Sequence, residues 1–348
     1  MIDYEYLLQL SPYSLNHEEK QKLYEIALSD LGTHHYMNCE IYRNLCDRLG
    51  QNPPLPVRLF KQYSLCSVTK ENIVKTMTSS GTSGQAVSKI YLDKETSLRQ
   101  TKVLSKIVSD FTGKTRLPML VIDSKAVLKN RNMFSARGAG ILGFSMLGRD
   151  ITYALDEKMQ LDWKVLDSFC KKYAEQEILM FGFTFMIWKY FYQPLKKKGY
   201  RLPLKGVLIH GGGWKKLSDI AVDADTFRKG LKEVTALKKV LNYYGMVEQT
   251  GSIFMECEYG HLHASLFSDI EFLPYSDFSC VKTNKKGLIK LVSLLPTSYP
   301  GHILLTEDKG ELLGEDNCPC GRLGKYFKIY GRIKGAEIRG CSDTYEQH

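Results

Sequence analysis

No run of 18 apolar residues occurs in this 348-residue chain, so the sequence offers no transmembrane helix. The N-terminus, MIDYEYLLQLSPYS, has acids early and no basic segment followed by a long apolar core. It does not read as a signal peptide, and a cytoplasmic location is the expectation. No Lys/Arg block exceeds three residues (Lys196 to Lys198), which argues against nucleic-acid binding despite a net charge of +10. That charge equally suits an anionic substrate or an acidic partner protein. No repeat or low-complexity segment stands out. The nine cysteines are an odd number. In a reducing compartment this argues against a disulfide framework and for free thiols, metal ligands or a nucleophile.

What remains is the composition of a soluble globular protein, 43% hydrophobic and 25% charged. The length allows two or more domains, or one large core with an appendage. Residues 1–50 carry apolar residues at three- and four-residue spacing and read as helical. Asn52-Pro53-Pro54-Leu55-Pro56 breaks that pattern. Strands are expected at 117–124, 177–184, 203–213 and 238–245, with helices at 161–176 and 223–237. Such alternation, with glycines just beyond the strand ends, indicates an α/β protein with a parallel or mixed sheet. Ligands of such folds gather at the carboxyl ends of the strands. From residue 260 the texture changes to short strands of a smaller β-rich region.

Several stretches carry chemistry. TSSGTSGQAVSK (78–89) supplies hydroxyls from Ser79, Ser80, Thr82 and Ser83. Its Gly81 and Gly84 let backbone N–H groups point at an anion, and Lys89 adds a positive charge. The spacing is not that of a Walker loop. LNYYGMVEQTG (241–251) holds Asn242, Tyr244, Gly245 and Glu248 directly after an apolar strand. Tyr can stack on a base, Asn can pair with its edge, and Glu can bind a cation that neutralises phosphates. Asp308 ends GHILLTED, where it could accept bonds from ribose hydroxyls, and Arg332 follows Gly331. Cys318 and Cys320 form a tight thiolate pair that Cys257 and one of His261 and His263 would complete to a Cys₃His tetrahedron. MFGFTFMIWKYFYQP (180–194) reads as a core helix rather than an acyl tunnel. Lys196 to Lys198 and His34-His35 are expected at the surface.

Five stretches in order, SSGTSGQAVSK, GGGW (211–214), YYGMVE, TED (306–308) and GR (331–332), resemble the adenylate-forming superfamily of acyl-CoA ligases, adenylation domains and luciferase-type enzymes. CPCGRLGKYFKIYGRIKG resembles its phenylacetate-CoA ligase branch. YGMVEQTG and GAEIRGCSD resemble the acyl-protein synthetases of the bacterial luminescence fatty-acid reductase complex. The resemblance implies the large α/β N-terminal-domain fold of that superfamily, with a smaller β-rich region and without its mobile C-terminal domain. Expected boundaries are a helical region at 1–75, a nucleotide-binding α/β core at 76–255, a β-rich subdomain at 256–330 and a hinge-like tail at 331–348.

The implied activity is attack of a carboxylic acid, a fatty acid by this resemblance, on the α-phosphate of ATP. Ser79, Ser80, Gly81, Thr82, Ser83, Gly84 and Lys89 would hold the outer phosphates as pyrophosphate leaves. His210, Gly211 and Gly212 would border the adenine and the acyl pocket. Asn242, Tyr244 and Gly245 would lie at the base, Glu248 would bind Mg²⁺, Asp308 the ribose, and Arg332 the ribose or a phosphate. Cys341 would take the acyl group as a thioester and deliver it to a partner such as an acyl reductase or transferase. The branch resemblance also implies a structural Zn²⁺ on Cys257, His263, Cys318 and Cys320, with His263 favoured over His261. The chain departs from the pattern at Val247, where a Thr is usual, and at Ala86-Val87-Ser88, where Pro precedes the Lys. An acyl-CoA or aryl-CoA ligase, or a non-catalytic nucleotide-binding scaffold stabilised by zinc, are the alternatives.

Overall fold

A computed structural model describes residues 2–79, 86–128, 136–214, 220–274 and 286–333. They fall into two compact units, residues 2–111 with 244–333 and residues 112–243.

The first unit joins N-terminal helices to an antiparallel sheet. Helix His17–Asn38 starts in a capping box, Asn16 with Glu19, which satisfies two backbone N–H groups that the first turn leaves over. The sheet runs Ser268–Leu273, Lys286–Ser293, Ile303–Glu315, Lys325–Arg332, Leu262–His263 and Phe254–Glu256. Its core is Phe254, Ile270, Phe272, Ile289, Leu291 and Phe327. Lys20, on the buried face of the helix, donates to the Ser268 carbonyl at 2.8 Å and to Asp269 Oδ1 at 3.1 Å. Lys325 takes the other Asp269 oxygen at 2.7 Å. One half-buried carboxylate thus ties two cations to one strand end, and that pairing offsets the burial of the Lys20 charge.

The second unit is a parallel sheet ordered Gly148–Leu155, Leu117–Ser124, Glu177–Phe183, Lys205–Gly211 and Lys239–Tyr244. Helices cover parallel strands on both faces, so such strands are continuous apolar runs, as LPMLVIDS and EILMFGF are. Asp162 and Asp223 cap the helices Trp163–Lys172 and Ala224–Val234. The 180–194 stretch divides. Residues up to Phe183 finish a strand, and Thr184–Ile187, a π turn at Trp188–Tyr192 and Gln193–Lys198 form the helical part. Met186, Ile187, Trp188, Phe191 and Tyr192 are buried, which agrees with a core role. The α/β architecture with a β-rich region agrees with the expected class. Among the described residues no helix is long and apolar enough to cross a membrane.

The surface placement expected for His34-His35 fails for His35, which is fully buried. Tyr24, Ala27, Leu31 and His35 recur at helical spacing on the inner face of His17–Asn38. His35 Nδ1 lies 2.8 Å from Ser67 Oγ and Nε2 lies 3.1 Å from the Pro296 carbonyl. Its ring stacks on His302 at 4.8 Å, and His302 Nε2 meets the Tyr42 hydroxyl at 3.2 Å. These partners lie up to 267 positions away, so the pattern of one helix cannot show them. Burial, reinforced by the neighbouring histidines, holds His35 well below the ordinary imidazole range and His302 at about 3.

Both groups titrate near ~6.5 once unfolded. The stability they hold is therefore full above that pH and is lost as pH falls from there toward 3. For His302 the loss is about 1.4 kcal/mol per pH unit, or about 2 kcal/mol by pH ~5. Urea unfolding at pH ~7.5 and ~5 checks this, and His302→Gln is expected to shrink the difference by about that amount.

Candidate active site and metal centre

The ends of the Ser/Thr/Gly stretch are brought together by a hairpin. Lys75–Thr78 pairs antiparallel with Lys89–Leu92, with Thr78 opposite Lys89. Ser79 N donates to the Ser88 carbonyl at 3.1 Å, and Ser88 N donates back to Ser79 Oγ at 2.9 Å. Ser80, Gly81, Thr82, Ser83 and Gly84 lie outside the described residues. Lys89 is exposed at the start of its strand. Ser88 is fully buried, and its hydroxyl donates to Glu248 Oε1 at 2.7 Å.

Glu248 sits in the short 3-10 turn Val247–Gln249 and is only 5% exposed. Its backbone is held on both sides. Tyr299 Oη donates to the Glu248 carbonyl at 2.9 Å, and Gln249 Nε2 donates to the Gly301 carbonyl at 2.8 Å. Thr250 Oγ1 donates to Gln100 Oε1 at 2.8 Å on helix Lys94–Thr112. The next residue must be glycine. Gly251 has φ +86°, and a Cβ there would stand 2.8 Å from the Gln100 backbone.

Tyr244, Asp308 and Arg332, expected from three separate motifs, meet at one carboxylate. Asp308 and Arg332 are opposite each other in neighbouring strands. Arg332 Nε lies 3.4 Å from Asp308 Oδ1, and Tyr244 Oη donates to Asp308 Oδ2 at 2.7 Å. Burial, then the Asp308 charge, pushes the Tyr244 phenol well above its ordinary range. Gly245 is exposed immediately after Tyr244. The Tyr244 ring also packs 6.0 Å from Phe254, so its position is set by core contact as well as by the carboxylate.

In the second unit His210 ends strand Lys205–Gly211, opposite Asn242 in register. His210 Nδ1 lies 3.0 Å from Thr184 Oγ1, which donates to the Gly211 carbonyl at 3.1 Å. Burial, with Arg228 nearby, keeps the imidazole neutral, at about 3. A Cβ on Gly211 would reach 2.4 Å from the Tyr243 ring, so a close approach requires glycine there. Gly212 has φ +78° and turns the chain out of the strand.

The thiol cluster lies wholly in the first unit. One ligand atom from each of Cys257, His263, Cys318 and Cys320 lies within 4.8 Å of the others. Two of the cysteines open turns of the same design. Gly260 N donates to the Cys257 carbonyl and Gly321 N to the Cys318 carbonyl, each at 3.0 Å, and both glycines have positive φ, +75° and +77°. His263 is fixed by its strand pairing to Met255 and Tyr326. Its Nε2 lies 3.4 Å from Cys320 Sγ, and its buried Nδ1 has no hydrogen-bond partner among the described residues. His261 Nδ1 instead touches Cys318 Sγ at 3.3 Å, and its ring stacks on Tyr326. Burial pushes the Cys318 thiol up to about 12, raises Cys257 and lowers His263 to about 3. Two buried sulfurs, the half-buried sulfur of Cys320 and a neutral imidazole at this spacing fit the donor set of a structural divalent cation site.

Solved structures place the chain in a class. An open form of a 2-hydroxyisobutyryl-CoA ligase with its adenylate and CoA superposes at TM-score 0.69 over 93% of this chain and 77% of that one, at 13% identity. The same ligase in its postadenylation state gives 0.68, over 92% and 69%, also at 13%. The fold is that of the adenylate-forming enzymes. The particular branch follows from sequence: the profile of the acyl-protein synthetase, LuxE, matches residues 2–348, and the chain belongs to that family. Membership makes it an acyl-adenylate-forming ligase. It is similar to the long-chain-fatty-acid–luciferin-component ligases of Aliivibrio fischeri (22% identity) and Vibrio harveyi (24%). Each match covers 97% of this chain and 91% of the relative.

Proposed function

We propose that this ligase uses ATP and Mg²⁺ to activate a long-chain fatty acid and loads it on its own Cys341 for delivery to a partner enzyme, an acyl reductase or transferase. The printed activity of the two curated relatives supports the fatty acid. The observation that carries the reading is the convergence of four motifs in one unit. Tyr244 is hydrogen-bonded to Asp308, Arg332 is ion-paired with the same carboxylate, and Glu248 is bonded to the base of the Ser/Thr/Gly stretch.

In the first step a carboxylate oxygen of the acid bonds to the α-phosphorus, and pyrophosphate leaves with the electron pair of the broken P–O bond. Ser79 to Gly84 and Lys89 hold the departing phosphates. Asp308 accepts from ribose hydroxyls and Arg332 faces the same nucleotide. Mg²⁺, when bound at Glu248, supplies charge neutralisation on the phosphates. His210 to Gly212 and Asn242 keep their assignments at the adenine and acyl group. In the second step the Cys341 thiol gives its proton to solvent, its sulfur bonds to the acyl carbon, and AMP leaves with the electron pair of the broken acyl C–O bond. Cys341 lies outside the described residues. Cys257, His263, Cys318 and Cys320 would hold a structural Zn²⁺, which would supply stability to the fold and no step of the reaction.

ATP–pyrophosphate exchange with a panel of short, aromatic and long-chain acids, without coenzyme A, is the direct test. Long-chain acids are expected to give exchange at least ~10-fold faster than short ones, since each buried methylene adds about 0.8 kcal/mol. Exchange that appears only when coenzyme A is added would support a CoA ligase instead. No exchange with any acid would leave a nucleotide-binding scaffold.

A further inference from the structure

We infer that Ser88 is a positioning residue for Glu248, the carboxylate read as holding magnesium. The inference rests on the reading of Glu248 as that carboxylate.

The sequence departs from its superfamily at Ala86-Val87-Ser88. The structure gives the departure a physical content. Ser88 is fully buried and bonds in two directions. Its backbone N–H and carbonyl close a ring with Ser79, the other end of the stretch. Its hydroxyl donates to Glu248 at 2.7 Å, a length typical of a charge-assisted bond to a carboxylate. Glu248 lies 160 positions away in the chain and is itself nearly buried. A buried carboxylate needs donors to stay ionised and to keep one rotamer. Tyr299 and Gln249 fix the backbone of this turn, and Ser88 holds an oxygen of the side chain. The same residue therefore sets where the loop ends and where the carboxylate points. A proline at this place would have no hydroxyl and no N–H, and could make neither bond.

The test measures ATP binding to the whole protein by calorimetry, once in Mg²⁺ and once in EDTA. In Ser88→Ala the affinity in Mg²⁺ is expected to fall about 10-fold or more, the size usual for losing a partner of a metal-binding carboxylate. Affinity in EDTA should stay near wild type, while the melting temperature falls by a few degrees because a buried carboxylate loses a donor. Ser88→Thr, which keeps the hydroxyl, should restore the magnesium dependence. If Ser88→Ala does not fold, Ser88→Cys repeats the measurement with similar volume and a poorer donor. Equal affinity to wild type in both buffers, or an equal loss in both, overturns the inference. Glu248→Gln separates the two failures. If it loses the magnesium dependence while Ser88→Ala keeps it, only the role of Ser88 falls. If Glu248→Gln keeps it too, the reading of Glu248 falls and the inference with it.

Discussion

Cys341→Ser is expected to exchange pyrophosphate within about twofold of wild type and yet to carry no acyl group after incubation with ATP and a fatty acid. The two steps need different things. Adenylation needs phosphates held in place and charge neutralised, and Cys341 has no part in that. Transfer needs a nucleophile that is ionised at neutral pH. A thiol with a pKa near ~8.5 supplies a few per cent of thiolate unaided, and Arg339, two positions earlier in the sequence, adds a positive charge that favours more. A serine hydroxyl in the same place supplies essentially none. Intact mass with and without hydroxylamine reads the result: wild type should gain one acyl mass that hydroxylamine removes. A hydroxylamine-labile acyl group persisting on Cys341→Ser would falsify the assignment of the nucleophile. Glu248→Gln is the complementary variant, expected to lose exchange and acylation together.

What was legible in the sequence was what local physics writes there. The strands Leu117–Ser124 and Glu177–Phe183 were visible because burial on both faces demands unbroken apolar runs. The helices from Trp163 and Ala224 were visible because they are amphipathic, and Asp162 and Asp223 cap them. Contacts between distant segments were not legible. The first unit takes residues from both sides of the second, a division that no linker composition announces. His35 looked like a surface residue because its partners, Ser67, Pro296 and His302, stand far along the chain. Tyr244 was read as an aromatic surface for a base, since an aromatic after a strand suggests stacking. Its hydroxyl and Asp308 are in fact bonded at 2.7 Å, so the ribose acceptor expected from one motif is already oriented by another. Ser88 was read as a break in a pattern. A pattern shows which residue is unusual, whereas the bond of its hydroxyl to Glu248 spans 160 positions and is invisible to any local pattern.

The purified protein is expected to hold about one zinc per chain, and Cys318→Ser to lose it with a fall in melting temperature of about 10 °C or more. The cluster draws on a turn at Cys257, a strand at His263 and the turn of Cys318 and Cys320, so one cation there would fasten three separated segments of the β-rich sheet. Without it the site is poorly satisfied. The Cys257 and Cys318 thiols are pushed up by burial, Cys318 to about 12, and His263 Nδ1 has no partner among the described residues. A cation stabilises thiolates that burial disfavours, and it releases their protons on binding. Protons therefore compete with it, and the metal should be lost as pH falls, never as it rises through neutrality. The surroundings favour the same state. His261 lies 3.3 Å from Cys318 Sγ, able to donate to it, and Arg322, bonded to Asp110 at 2.9 Å, brings a positive charge beside Cys320. Elemental analysis giving less than about 0.2 zinc per chain would sink the assignment. Retention of metal by Cys318→Ser would move it to other ligands. His261→Ala tests the outer layer separately. It should keep the zinc but bind it about 10-fold more weakly against a chelator, because it removes a donor to the thiolate and leaves all four ligands in place.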